Sequence, residues 1–227
     1  MREIILDTET TGLQAKNSEE IHRITAIGCV ELIDRIPQRN AKWYINPERP
    51  VSRGAYVVTG LTWDFLRSFS IFSQIVDAFL EFIQNDPLII HNAPFDMGFL
   101  NREMEMCGKP PLTNQVVDTL KIARASFPGA SNNLDALCKR FNINYLNSRA
   151  KHDALDDAIL LSKVYIALLQ QQKSNLILQT STVAPKSSNV TKKPTRKARI
   201  LHVLSPEEQQ QHAEMLTYIK QPLWLKI

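Results

Sequence analysis

The chain has 227 residues, 44 % of them apolar, which suits one substantial domain plus an appendage, or two small domains. Its formal net charge of +4 is unevenly placed: residues 1–172 hold 18 Lys+Arg against 20 Asp+Glu, whereas residues 173–227 hold 9 against 3. A slightly acidic main domain does not grip nucleic acid by charge alone, no apolar run approaches the roughly 20 residues of a membrane span, and Cys29, Cys107 and Cys138 form neither a zinc spacing nor a disulfide framework.

Met1-Arg2-Glu3 leads directly into an apolar run, so no signal peptide is expected and a reduced cytoplasm is the simplest setting. Residues 3–8 read as a first strand, 24–33 as a second and 42–45 as a third, with 17–23 as a polar connection. No long helix separates them, so they are expected to be antiparallel neighbours. The period then changes: Phe72, Ile75, Val76, Phe79, Leu80 and Ile83 follow helical spacing. Residues 87–91 form a short apolar strand, and a helix carrying Phe95, Phe99 and Met106 follows. A brief strand at 116–117 precedes helices near 119–126 and 132–140, and a long helix covers about 154–172. This order predicts an α/β fold, a mixed five-stranded sheet flanked by helices, over residues 1–172.

After Gln172 the composition shifts. Residues 173–199 read as a flexible basic linker, poor in large apolar groups. Residues 200–227 regain apolar character. Ser205-Pro206-Glu207-Glu208 has the form of a helix start, and Leu223-Trp224-Leu225 lies near the end. A segment this small cannot bury its own core, so it is expected to dock on a partner, with folding back onto the main domain as the alternative.

The chemistry centres on Asp7 and Glu9 at the end of the first strand. Residues two apart on a strand share a face, so the two carboxylates project together. Buried charges need a partner, and a hard cation serves both. Asp96 falls in the first turn of the helix after the fourth strand, and Asp157 lies on the long helix, five positions after His152. Singly, each has a structural explanation. Asp96 and Asp153 suit helix N-termini, Asp118 suits a strand end or cap, Asp156 a solvated helix face, and His91 a satisfied buried histidine. Together, Asp7, Glu9, Asp96 and Asp157 can meet at one sheet edge and suit two Mg²⁺ ions. Two such ions activate water and stabilise the leaving oxygen of a phosphodiester, with His152 as the one histidine placed to accept the water's proton.

Asp7-x-Glu9, Asp96 and His152-x₄-Asp157 resemble the DEDDh class of 3′→5′ exonucleases. Residues 6–12, 91–96, 127–129 and 133–138 extend the likeness, which runs over residues 3–172 and points to the epsilon, proofreading, subunit family of bacterial DNA polymerase III. The resemblance implies a ribonuclease H-like fold with a flexible C-terminal tail. It implies two divalent cations, Mg²⁺ or Mn²⁺, held by Asp7, Glu9, Asp157 and Asp96, with His152 as general base. Asp7, Thr8, Glu9, Gly54, Thr59 and Asp157 would meet the terminal nucleotide of a single-stranded DNA 3′ end. Two positions depart from the family pattern: Thr59 stands where a histidine is common, and Gly54 where an acidic residue is common. Residues 200–227 would anchor the polymerase alpha subunit, Gln179–Ala184 resembles the start of a sliding-clamp peptide, and a small theta-like subunit is a further implied partner. An RNA-trimming exonuclease of the same class and a non-catalytic adaptor are the competing readings.

Overall fold

The computed structural model describes residues 1–13, 22–144 and 151–181 (side chains to residue 172), with residues 205–207 and 210–211 of the tail. The chain divides into two compact units, Met1–Val183 and Ala184–Ile227.

The first unit holds a five-stranded sheet in the order β3-β2-β1-β4-β5. Its strands are β1 (Arg2–Thr10), β2 (Ile24–Ile33), β3 (Ile36–Tyr44), β4 (Leu88–Ile90) and β5 (Val116–Asp118). β1 pairs antiparallel with β2 and β2 with β3, while β4 runs parallel to β1 and β5 parallel to β4. The expected antiparallel start and mixed sheet are both present. β3 begins earlier than expected, at Ile36 rather than Lys42. Its first five residues are exposed, so they lack the alternating apolar pattern that marks a half-buried strand. Asp34 and Arg35, at φ 51° and 68°, make the tight hairpin that pairs Ile33 with Ile36.

The helices are α1 (Arg53–Thr59), α2 (Trp63–Leu66), α3 (Phe72–Ile83), α4 (Ala93–Met106), α5 (Thr119–Ser126), α6 (Leu134–Arg140) and α7 (Ala154–Ser181). α7 continues nine residues past the expected end at 172, so 173–181 is helical where a flexible linker was expected. Residues 182–199, most of the terminal segment 200–227, and Thr182–Ala184 of the clamp-like peptide lie outside the described residues. Within that segment 206–207 and 210–211 are helical, following Ser205.

The strand period of two sorts the core into faces. Ile4, Leu6, Leu88 and Ile90 pack with α3 and α4 side chains such as Phe79, Phe99 and Leu100. Ile5, Val30, Leu32 and Ile89 point the other way, onto Ala158, Leu161 and Tyr165 of α7. A third cluster joins α5, α6 and α7 through Ala123, Leu137 and Val164. The face that carries Ile5 is therefore the face from which Asp7 and Glu9 also project, and it is covered by α7.

Candidate active site

Glu9, His152 and Asp157 each place one ligand atom within 4.8 Å of the others. β1 supplies Glu9 from its odd-numbered face. α7, packed on that same face, supplies Asp157. Asp153 starts α7: its Oδ1 accepts from Leu155 N (3.1 Å) and Asp156 N (3.3 Å), the N-terminal role its position predicts. Lys42 of β3 forms an ion pair with Asp153 Oδ2, which fixes the start of α7 to the sheet. Burial opposes the Asp153 charge, but Lys42 and the helix amides outweigh it and hold its pKa low. Asp156 is half-buried rather than fully solvated.

His152 is 44 % exposed, and its Nδ1 lies 2.8 Å from Asp157 Oδ2. Asp157 is 4 % exposed and Glu9 9 %. Burial, then the nearby Asp157 charge, pushes Glu9 up to about 7. Two buried carboxylates this close repel one another. The arrangement fits a divalent cation, because oxygen donors of this kind suit Mg²⁺, Mn²⁺ and similar hard ions.

Asp96 reaches the site from the other face of the sheet. It sits in the first turn of α4, 4 % exposed. Its Oδ1 accepts from Thr8 N (3.1 Å) and Thr8 Oγ1 (2.7 Å). Thr8 is the residue of the Asp7-Thr8-Glu9 run that faces α4, so it carries the second role in that motif. Burial raises Asp96 to about 7, and the Thr8 bonds work against that rise. Its charge is felt at Glu9, although Asp96 is not part of the 4.8 Å group. Asp7 is half-buried, pairs with Gly28 across the β1–β2 ladder, and also stands outside that group. Of the four carboxylates expected to meet, Glu9 and Asp157 come together with His152, while Asp7 and Asp96 stand outside that group.

Asp118 caps α5, its Oδ1 accepting from Leu120 N (3.0 Å) and Asn92 N (3.2 Å). His91 Nδ1 lies 2.9 Å from Thr119 Oγ1, and burial pushes its pKa down. Asp118 is the cap expected of it, whereas His91 is only half-buried and has Thr119 on one ring nitrogen, with its Nε2 not so satisfied.

A cleft of about 520 Å³ opens beside Glu9, lined by Thr8, Gly12, Ser52, Gly54, Val58, Thr59 and Phe95, among others. Three residues expected to meet substrate, Thr8, Gly54 and Thr59, therefore share one wall or floor with Glu9. Thr59 is not a free donor: its hydroxyl donates to Ala55 O (2.9 Å) and accepts from Leu61 N (3.1 Å). Ser52, Val58 and Phe95 were not anticipated. Ser52 had a signal, since it caps α1 through Ala55 N (3.2 Å) eight residues before Gly60.

Residues 4–165 match the Exonuclease family. The DNA polymerase III subunit epsilon of Rickettsia felis is 41 % identical over 96 % of this chain and 97 % of its own length. This chain belongs to the DNA polymerase III epsilon-subunit family of exonucleases. The epsilon subunit of Buchnera aphidicola from Acyrthosiphon pisum is 42 % identical over 96 % of this chain and 95 % of its own. Among solved structures, the nuclease domain of 3′hExo, a DEDDh family member bound to rAMP, aligns with a TM-score of 0.64 at 19 % identity, covering 75 % of this chain and 92 % of that one. That likeness shows the fold, and it matches the epsilon-family sheet and helices described above. Among the described residues, no helix is long and apolar enough to cross a membrane.

Proposed function

We propose that this epsilon-family chain removes single nucleotides from DNA 3′ ends with two divalent cations, and that it does so as the proofreading exonuclease of a replicative polymerase in the cytoplasm. The convergence of Glu9, Asp157 and His152 on one point, with Glu9 also lining the adjoining cleft, carries this reading.

Asp7, Glu9 and Asp157 would hold the cations, Mg²⁺ or Mn²⁺, with Asp96 supporting them from behind β1. Bound cations neutralise the scissile phosphate and make water a competent nucleophile near neutral pH. The chain's own residues do the rest. The cleft along α1 takes the terminal nucleotide, and its apolar surface at Val58 and Phe95 suits a sugar or base. Thr8 orients Asp96. Asp157 orients the His152 ring through Nδ1, and His152 accepts the proton from the attacking water.

Residues 200–227 would dock on the alpha subunit and so tether the exonuclease beside the primer end. Gln179–Ala184 would bind the sliding clamp weakly, and a small theta-like subunit would complete the assembly. The basic tail and the epsilon-family names of the relatives support these assignments.

The test follows Mg²⁺-dependent release from 3′- and 5′-labelled DNA, with a matched RNA strand alongside. Loss of 3′ release in Glu9→Gln and Asp157→Asn is expected. Equal activity in these variants, or release from the 5′ label, would overturn the assignment; faster release from RNA would make it a trimming nuclease.

A further inference from the structure

His152 is nearly half exposed, so burial does not hold it in place. Its backbone, however, is tied to the substrate cleft. His152 N donates to Val58 O (3.0 Å), and Val58 lines the cleft from α1. The residue before it reinforces that tie. Lys151 Nζ lies 5.0 Å from the centroid of the Tyr56 ring, also on α1. The Lys151 stem crosses Gly60, which ends α1 at φ 73°. A side chain at Gly60 would overlap Lys151 Cδ, Cε and Nζ. A glycine there satisfies the left-handed turn and also clears the path of the lysine.

We infer that Lys151, Tyr56 and Gly60 are positioning residues for His152, clasping its backbone to α1 so that the proton acceptor and the nucleotide wall move as one unit. The inference rests on the reading of His152 as the proton acceptor. Its physical content is orientation. A general base must meet the reacting water within hydrogen-bond reach, and an ångström of displacement costs on the order of a hundredfold in rate. A lysine over a tyrosine face gains cation–π attraction while its methylenes cover apolar surface. Val57 and Val58 are 66 % and 46 % exposed, so burial of these two side chains does little to fix α1. The contact between α1 and Lys151-His152 steadies both partners.

The experiment compares Lys151→Ala, Lys151→Arg, Tyr56→Leu and Tyr56→Phe in the full chain. Two readouts are taken: amide hydrogen exchange at His152, and kcat and KM on 3′-labelled single-stranded DNA with Mg²⁺. The Ala and Leu variants are expected to exchange the His152 amide at least about tenfold faster and to lose about tenfold in kcat, with KM within about twofold. Arg and Phe keep a cation or a ring and should restore both values. The double variant Lys151→Ala/Tyr56→Leu should be no worse than either single one, because each breaks the same contact. Unchanged His152 exchange in Lys151→Ala and Tyr56→Leu overturns the clasp. So does a rise in KM at constant kcat confined to Lys151→Ala, which would make Lys151 a phosphate contact. A fully active His152→Ala would reject the proton-acceptor reading instead, and the amide exchange would still decide whether the clasp exists.

Discussion

Gly28 of β2 lies directly against Ala154 at the start of α7: a methyl group on Gly28 would overlap the Ala154 carbonyl. Gly28 is also the residue that pairs with Asp7 across the β1–β2 ladder. The helix that brings Asp157 to Glu9 can approach the sheet only because this position has no side chain. Gly28→Ala should push the start of α7 outward and separate Asp157 and His152 from Glu9. Overpacking of this kind costs about 1–3 kcal/mol, and the rate loss should exceed about a hundredfold. Urea denaturation and exonuclease rate, measured on the same sample, check the pair of effects. A stable Gly28→Ala enzyme with ordinary activity would show that α7 shifts freely.

Glu9 and Asp96 both titrate near 7, raised first of all by burial, against ordinary values of 4.5 and 3.8. Below about pH 3 both states of the chain hold these protons. As pH rises toward 7, the unfolded chain releases them while the folded, metal-free chain retains them, so stability falls across that window. A divalent cation requires the ionised forms, so it competes with protons. The melting temperature of the metal-free chain should therefore drop between about pH 4.5 and 7, and added Mg²⁺ should raise it more at about pH 8 than at about pH 5.5. Calorimetry in buffers of different ionisation enthalpy should show proton release on Mg²⁺ binding near pH 6.5. A cation effect equal at both pH values would mean that these carboxylates do not hold the ion.

Much of this site was legible because its carriers have strong local patterns. β1 and β2 are rich in apolar and β-branched residues, and α3 has a clear helical stripe, so their type follows from period, and the antiparallel direction from the lack of a long helix between the strands. The pairing of Asp7 with Glu9 on one face follows from the same period. What the pattern could not show was which element covers that face. Thr8 reads only as a contact to the nucleotide until α4 is known to lie opposite, where its hydroxyl meets Asp96. Gly28 reads only as a sign of some close approach, not of Ala154. α1 and α2, of seven and four residues, are too short to form from local preference, and they went unseen although Ser52 and Thr62 cap them. Residues 36–40 of β3 are exposed on an edge, where no burial pattern is imposed.

Gly54 tests the substrate wall from the opposite direction. Only Ser52 Oγ, at 4.0 Å, would come near a side chain there, so the position is open. It lies in the first turn of α1, which contains no acidic residue. Gly54→Glu should gain roughly 0.5–1 kcal/mol from lower chain entropy and a charge at the helix N-terminus. It also places a carboxylate on the cleft wall, so substrate affinity should change while kcat stays within about threefold. Thermal melts and steady-state kinetics read the two effects separately. A destabilised Gly54→Glu would show that the open space is needed by the backbone.

Thr8→Val isolates the support of Asp96. The change keeps the shape of the side chain and the backbone bond at 3.1 Å, but it removes the hydroxyl donor at 2.7 Å. The Asp96 carboxylate loses part of what stabilises its charge, so its pKa should move further up. Partners behind a ligand typically tune metal affinity about tenfold to a hundredfold. Exonuclease rate at limiting Mg²⁺ should fall by about tenfold and recover as Mg²⁺ is raised, with little change in saturated kcat. A loss that excess Mg²⁺ does not repair would place Thr8 in substrate binding instead.

Arg23 and Glu103 tie α4, the helix that carries Asp96, to the start of β2. Glu103 is 2 % exposed. Its Oε1 and Oε2 accept from Arg23 Nε (2.7 Å) and Nη2 (2.9 Å), and Oε1 also accepts from Ile24 N (3.2 Å). The Glu103 bonds raise the Arg23 pKa against the burial that opposes its charge. Arg23 has a second, longer ion pair to Glu48 at 3.6 Å, but Glu48 is half in solvent and cannot replace the fork. Glu103→Ala leaves a largely buried guanidinium without its main partner and an amide at the start of β2 without its acceptor. Breaking one side of such a pair costs about 3–5 kcal/mol, far more than the pair's net worth against apolar residues. Glu103→Gln retains one acceptor oxygen and the shape, so its cost should be roughly half. Urea midpoints should order the variants wild type, Gln, Ala. Kinetics at low temperature should show that folded Glu103→Gln keeps its active site, since Asp96 lies two turns away and keeps its own bonds to Thr8. A cost below about 1 kcal/mol for Glu103→Ala would mean that water enters and solvates Arg23, and that α4 is held by its apolar face alone.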